Sequence, residues 1–328
     1  SHPVHIHVVW SNRVSPGLTD ILLDKASVDG YLNQLFAGFS EASVPVYFYA
    51  TAGMRLLPSE QQEQYYQFIH DWFSRHALPL IEARTISGRE EGVFAWVAVA
   101  LESGRLLSGE FNQIAVMDMG GASVQVVFPV LFEEFNQSAQ FGSNVVSVSL
   151  YGKSIYLFSY SVLGMGKSLI NNQFLNDPVC YPLGYTLSNG ELTFLGDAEL
   201  CQAHVSEYMN GVYHVSKDVQ ALVRAQPELK WYALSGLVYL IQSPLLQLEG
   251  ERVSPKRLLD AAQADACQGS WSELDAHFPK VDAEFDCMNA SYYYALMVNG
   301  YGISPETSID WSFQPDHFDW TLGVVGLH

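Results

Sequence analysis

The stretch Val116–Phe128, Val-Met-Asp-Met-Gly-Gly-Ala-Ser-Val-Gln-Val-Val-Phe, limits the fold of this chain more than any other. An apolar run ends in Asp118, passes through two glycines and resumes as an alternating run, the pattern of a β-hairpin with a tight bend. Glycines there let main-chain N–H groups approach an anion without Cβ interference, forming a concave nest suited to phosphate oxygens. Ser123 and Gln125 lie two residues apart on one strand, so both side chains share a face. Asp118 stands where the first strand enters the bend, close enough to hold a metal-bound water. An ordinary hairpin whose glycines merely satisfy the turn is the plainer reading of the same residues.

Around this hairpin the pattern is α/β. Val4–Trp10 alternates weakly and predicts a strand, and Val28–Phe39 carries apolar residues at helical spacing. Val44–Ala50 is nearly continuous in apolar residues, as expected of a strand buried on both faces. The polar bend Thr51–Arg55 follows. Ser59 and Gln62 then suggest a capping box behind Pro58, opening a helix whose face carries Tyr65, Phe68, Ile69, Trp72 and Phe73. Leu80–Ala83 reads as a strand and Val93–Leu101 as a helix. Beyond the hairpin, Val145–Leu150 and Ile155–Ser161 flank Tyr151-Gly152-Lys153 as a second hairpin. Pro178–Leu200 reads as loop and Leu200–Val223 as helix. Trp231–Leu240 is an apolar segment, Leu258–Ala266 and Ala290–Val298 are helix candidates, and Trp320–Leu327 rejoins the core.

Length and charge narrow the function. The 328 residues can bury a large core and suggest two domains. A hydrophobic content of 48% marks a globular chain, yet no apolar run approaches the roughly 20 residues of a membrane span. With 16 Lys+Arg against 35 Asp+Glu, the net charge of −19 repels nucleic acid and anionic membranes. A phosphate ligand would then need local help from backbone N–H groups, a few basic side chains and a divalent cation. Cys180, Cys201, Cys267 and Cys287 contain no C-x-x-C pair, which disfavours zinc. They fall into two sequential couples of similar spacing in loop-rich segments. The expected disulfides are Cys180–Cys201 and Cys267–Cys287, implying an oxidising compartment; four buried thiols are the alternative.

Three polar bends follow apolar runs, and in open α/β sheets ligands collect at the carboxyl ends of strands. Ala50-Thr51-Ala52-Gly53-Met54-Arg55-Leu56-Leu57, Ile86-Ser87-Gly88-Arg89-Glu90-Glu91-Gly92-Val93-Phe94-Ala95-Trp96 and Met117-Asp118-Met119-Gly120-Gly121-Ala122-Ser123-Val124-Gln125 carry these bends. In order and spacing they resemble the second, third and fourth motifs of the apyrase, or nucleoside triphosphate diphosphohydrolase, family. Weaker echoes occur at Ser161–Lys167, Trp231–Leu240, Cys287 through Gly300-Tyr301, and Trp320–Gly323, so the resemblance covers nearly the whole chain.

The resemblance implies a two-lobed actin-like fold of the ribonuclease-H type with its active site in the interlobe cleft. The lobes it suggests are residues 1–87 plus 304–328, lacking a first hairpin, and residues 88–303. It implies metal-dependent removal of terminal phosphates from nucleoside tri- and diphosphates by direct attack of water. Carried over residue by residue, Glu91 is the general base, and Ser123 and Gln125 position the same water. Glu90 is left as a helix-start glutamate answering the macrodipole. Thr51, Ala52, Gly120, Gly121 and Ala122 contact phosphate. Asp118 holds Mg²⁺ or Ca²⁺ through its water shell. Lys167 and Tyr239 belong to the nucleoside side, and Arg55 either contacts phosphate or braces its loop. The expected protein is a secreted, periplasmic or extracellular monomer that binds neither nucleic acid nor membrane.

Two departures stand out. Relatives place an aromatic residue before the cysteine that matches Cys287; here Asp286 stands there, with Asp282 four residues earlier, which puts base stacking from that side in doubt. The family's first motif, D-x-G-[ST]-[ST]-G-[ST]-R, has no copy in these residues, so the expectation is a piece of a longer polypeptide. A nucleotide-binding actin-like module without hydrolysis, and a sugar-kinase or chaperone-type ATPase of the same superfold, are the alternatives. Asn136-Gln137-Ser138 and Asn289-Ala290-Ser291 fit glycosylation sequons.

Overall fold

The structure, a computed structural model, describes residues 6–131, 142–186, 190, 193–279 and 282–328. The chain divides into two compact units, the first ending at Glu91 and the second beginning at Gly92.

In the first unit, helix α1 (Lys25–Leu35) starts at Asp24, whose carboxylate accepts the Ser27 N–H at 2.7 Å. Strand β1 (Val46–Ala50) runs into the short helix α2 (Ala52–Arg55), then α3 (Ser59–Arg75) and strand β2 (Leu80–Thr85). β1 and β2 pair in parallel, ending in register at Ala50 and Thr85. Val28, Leu32, Met54, Tyr65, Ile69, Trp72 and Phe73 form the core, which joins the predicted face of α3 to α1. Three local expectations fail here. Residues 6–10 form no strand, their weak alternation finding no partner; Val4 lies outside the described residues. All five residues of β1 are half-buried instead of fully buried, because among the described residues the strand has a single strand neighbour. The Ser59–Gln62 box does not form: Pro58 takes the N-cap position, and the Gln62 amide donates to Leu57 O at 2.9 Å while accepting the Thr85 hydroxyl at 2.8 Å.

Helix α4 (Gly88–Glu102) opens with a capping box that does form. Ser87 N–H donates to the Glu90 carboxylate at 2.8 Å, and Glu90 N–H donates to Ser87 Oγ at 3.1 Å. Arg84 donates to both oxygens of the same Glu90 carboxylate through its two terminal guanidinium nitrogens. From Val93 to Leu101 the helix is buried all round, so its apolar run is that of a core helix.

The second unit is built on a seven-stranded sheet of order β5-β6-β4-β3-β7-β9-β8. Short helix α5 (Arg105–Ser108) precedes the central hairpin, β3 (Ile114–Met119) and β4 (Ser123–Pro129), every residue of which is buried. The second predicted hairpin is β5 (Val145–Leu150) with β6 (Lys153–Leu163). Helices α6 (Lys167–Gln173), α7 (Ala198–Val212) and α8 (Val215–Arg224) follow, the last two separated by His214 in a left-handed conformation. Strand β7 (Lys230–Ser235) passes directly into α9 (Gly236–Ile241); β8 (Arg252–Val253), α10 (Pro255–Ala262), α11 (Trp271–His277), α12 (Asp286–Tyr294), β9 (Ile309–Asp310) and α13 (Thr321–Leu327) complete the unit. Both expected disulfides, Cys180–Cys201 and Cys267–Cys287, are present, with all four cysteines in one core that also holds Tyr292 and Tyr293.

Residues 304–328 are grouped with this unit, where the resemblance suggests residues 1–87 as their companions. β9 lies between β7 and β8 in the large sheet, and Gly323 of α13 lies so close to the Phe94 backbone that a Cβ would sit 1.8 Å from Phe94 O. Asn289 is 8% exposed and its sequon partner Ser291 is wholly buried, so that sequon is closed to glycosylation in the folded chain. Asn136 lies outside the described residues.

Candidate active site

The central hairpin has the predicted register, with Asp118 opposite Gln125 and Met119 opposite Val124. Gly120 N–H closes the bend by donating to Ser123 O at 3.0 Å. That bond engages one of the three N–H groups expected to face phosphate. Gly121 and Ala122 remain: among the described residues neither N–H donates to a backbone carbonyl, and Gly121 is exposed. The bend is propped from behind by the start of α6, where Lys167 N–H donates to Gly120 O at 3.0 Å and Ser168 N–H to Gly121 O at 2.9 Å. Gly166 makes this approach possible, since a Cβ there would lie 2.3 Å from Ala122 N.

Ser123 and Gln125 do share a face. The Gln125 amide nitrogen donates to Ser123 Oγ at 2.9 Å and to Ser161 Oγ at 3.0 Å. With its nitrogen fixed in this way, the amide oxygen Oε1 is a buried acceptor without a partner among the described residues, on a residue only 1% exposed. Buried polar atoms are rarely left so, and such an exception calls for a ligand or water to fill it.

Asp118 is 3% exposed, and Oδ1 accepts the Ser235 hydroxyl at 2.7 Å. Burial pushes its carboxyl up to about 6; the Ser235 bond opposes this and the charge of Asp319 adds to it. Ser235 and Asp319 are thus site residues that sequence reasoning missed. Ser235 sits at φ 65° where β7 turns into α9, a left-handed position that a non-glycine residue rarely holds. The only signal was a Ser-Gly pair closing an apolar strand. Gly236 is needed beside it, because a Cβ would lie 2.6 Å from Met119 O. Lys167 and Tyr239 both line a cavity of about 520 Å³ that adjoins the bend, together with Asp282 and Asp286.

The first unit gathers the other predicted residues. Thr51 caps α2, and Ala52 opens it. Arg55 reaches from α2 to the turn before α4, donating to Ile86 O at 2.8 Å and pairing with the Glu91 carboxylate at 3.0 Å. Bracing is therefore the role the geometry gives Arg55, and its partner is the predicted base. Glu91 itself is 7% exposed. Gly92, the next residue, lies where a Cβ would meet Ser159 Oγ at 2.4 Å and Gln125 Cβ at 3.5 Å.

Fold and bend first define a class. The chain has the actin-like α/β fold of a crystal structure of nucleoside triphosphate hydrolases from Neospora caninum, with a TM-score of 0.57 at 14% identity, covering 92% of this chain and 78% of that one. A second likeness is to the Aquifex aeolicus member of the Ppx/GppA family, with a TM-score of 0.52 at 14% identity over 92% and 79%. At such identities the likeness is one of fold. Within that class, residues 3–328 match the GDA1/CD39 (nucleoside phosphatase) family, and the chain belongs to it. Among relatives, human ectonucleoside triphosphate diphosphohydrolase 3 is 27% identical over 342 residues, covering 86% of this chain and 63% of the relative. Nucleoside-triphosphatase ntp-1 of Caenorhabditis elegans is 25% identical over 362 residues, covering 96% and 65%. The chain thus spans just under two thirds of the length of these relatives.

Proposed function

We propose that this chain carries the water-activating and phosphate-binding residues of an enzyme that hydrolyses the terminal phosphates of nucleoside tri- and diphosphates. The observation that carries the reading is the unpartnered Gln125 Oε1, held beside Ser123 one strand-step from a glycine bend. An acceptor so placed takes a hydrogen from the attacking water, while Glu91, held by Arg55, removes its proton. The Gly121 and Ala122 N–H groups receive phosphate oxygens, Gly120 shapes the bend, and Thr51 and Ala52 contact the terminal phosphate. Lys167 and Tyr239 face the nucleoside. Family membership and the names of the relatives support the substrate class.

The acidic residues fit a hard divalent cation. Asp118 is buried and feels the like charge of Asp319, so a cation nearby relieves a carboxylate that burial otherwise disfavours. Among the described residues, no three His, Cys, Asp or Glu side chains are grouped to hold a metal directly. Asp118 would hold Mg²⁺ or Ca²⁺ through the ion's water shell, the mode best suited to Mg²⁺, which dehydrates reluctantly. A cation held there would supply positive charge beside the phosphate oxygens. The two disulfides support an oxidising compartment, secreted, periplasmic or extracellular, and among the described residues no helix is long and apolar enough to cross a membrane.

Phosphate release from ATP, ADP and their analogues, with Mg²⁺ or Ca²⁺ and with a chelator, tests the reading. Release that stops on chelation is expected. Nucleotide binding with no release under any metal would overturn hydrolysis in favour of a binding module.

A further inference from the structure

The cavity that adjoins the phosphate bend has a lining that its nearness to phosphate does not explain. It is tied to the bend at two points, through the Lys167 N–H bond to Gly120 O and the close approach of Gly236 to Met119 O. The cavity thus neighbours the bend whose Gly121 and Ala122 N–H groups the proposed function gives to phosphate. The far wall is α12, and there the lining is rich in hydrogen-bond acceptors. Asp286 is 7% exposed, and its Oδ2 takes the Ser243 hydroxyl at 2.5 Å, leaving lone pairs on both carboxylate oxygens. Asn289, one turn on, is 8% exposed and its Oδ1 is a buried acceptor with no partner. Across the cavity Asn171 Oδ1 is another, and Asp282 stands exposed on the lining. Burial, with Asp282 and Glu284, pushes Asp286 up to about 6, against Ser243 and Lys167, so in neutral solution it is an acceptor.

We propose that this cavity selects the nucleobase by its hydrogen-bonding edge, with Asp286 and Asn289 as the specificity-determining acceptors and guanine as the preferred base. The inference rests on the nucleotide reading above. Guanine presents two adjacent donors, N1–H and the N2 amino group, which match the paired oxygens of one carboxylate. Adenine and cytosine offer one amino group beside a ring nitrogen that repels a carboxylate. Uracil offers a single N–H between two carbonyl oxygens and fits worst. A site built to accept hydrogen bonds discriminates against ligands that leave its buried acceptors unpaired.

The test is kcat/KM for guanosine, adenosine, cytidine and uridine diphosphates, with the Mg²⁺ or Ca²⁺ that supports release, in the protein and in Asp286→Asn. The expected guanosine-to-uridine ratio is roughly tenfold or more, falling about tenfold in Asp286→Asn. A ratio taken within one protein is not moved by a general loss of stability. Thermal-shift binding of the same four nucleotides reads the same preference should the variant lose turnover. Equal values for all four bases, or a ratio untouched by Asp286→Asn, overturns the inference while leaving nucleotide hydrolysis standing. A protein that neither binds nor hydrolyses any of them overturns the nucleotide reading itself, and this inference with it.

Discussion

Glu91 and Gln125 are each held by hydrogen-bonding neighbours. Arg55 fixes the carboxylate of the first, and Ser123 with Ser161 fixes the amide nitrogen of the second, so that each aims a defined oxygen. A general base needs geometry before it needs a shifted pKa. Asp286 shows the opposite case, a carboxylate whose environment disfavours its charge. Its pKa rises from 3.8 to about 6, so the folded chain keeps a proton that the unfolded chain has released. The stabilising contribution is therefore present at about pH 4 and lost as the pH rises through about 6. Asp286→Asn is predicted to raise thermal stability near pH 7.5, by at most about 3 kcal/mol, and to change it little near pH 4. Thermal melts at the two pH values check this; a variant less stable than the protein near pH 7.5 would contradict it.

Among the elements, the β3–β4 hairpin was legible because period-two alternation and a Gly-Gly turn agree, and agreement across levels is what makes a segment readable. Glu90 was legible for the same kind of reason, since Ser-x-x-Glu ahead of an apolar run marks a helix start. Other elements depended on partners that a local pattern cannot see. Val44–Ala50 reads as a buried strand, yet β1 is half-buried because among the described residues β2 alone pairs with it. Ser235 and Asp319 were missed because both meet Asp118 across long stretches of chain, from a strained strand end and from the approach to α13. The close packing of α6 on the bend was equally hidden, resting as it does on a bare glycine. Gly166→Ala is predicted to force the α6 start away from Ala122, costing about 1–3 kcal/mol and lowering phosphate release together with the melting temperature. A variant with unchanged melting and turnover would show that the prop is dispensable.

For the whole chain, the sequential couples of cysteines in loop-rich segments pointed to the pairing, whereas no local pattern marks the division into units. Residues 304–328 belong with Gly92–His328 because β9 completes the large sheet, a tertiary fact with no local signature. Each disulfide joins residues about 20 apart, which corresponds to roughly 3 kcal/mol of loop-closure entropy in the chain-entropy model. Reduction is accordingly predicted to lower the melting temperature of the Gly92–His328 unit by about 6–12 °C per bridge; a melt unaffected by reductant would contradict that. With a net charge of −19, the proposed phosphate binding would have to be a local matter of backbone N–H groups and a cation. The proposed step is narrower still: one water, oriented by the Gln125 oxygen, would lose its proton to Glu91. Its most direct test is single-turnover phosphate release by Glu91→Gln, with nucleotide binding measured separately at equilibrium. The account predicts release slowed by about 10²–10⁴-fold with affinity nearly unchanged; release at the unmodified rate from the fully bound variant would contradict it.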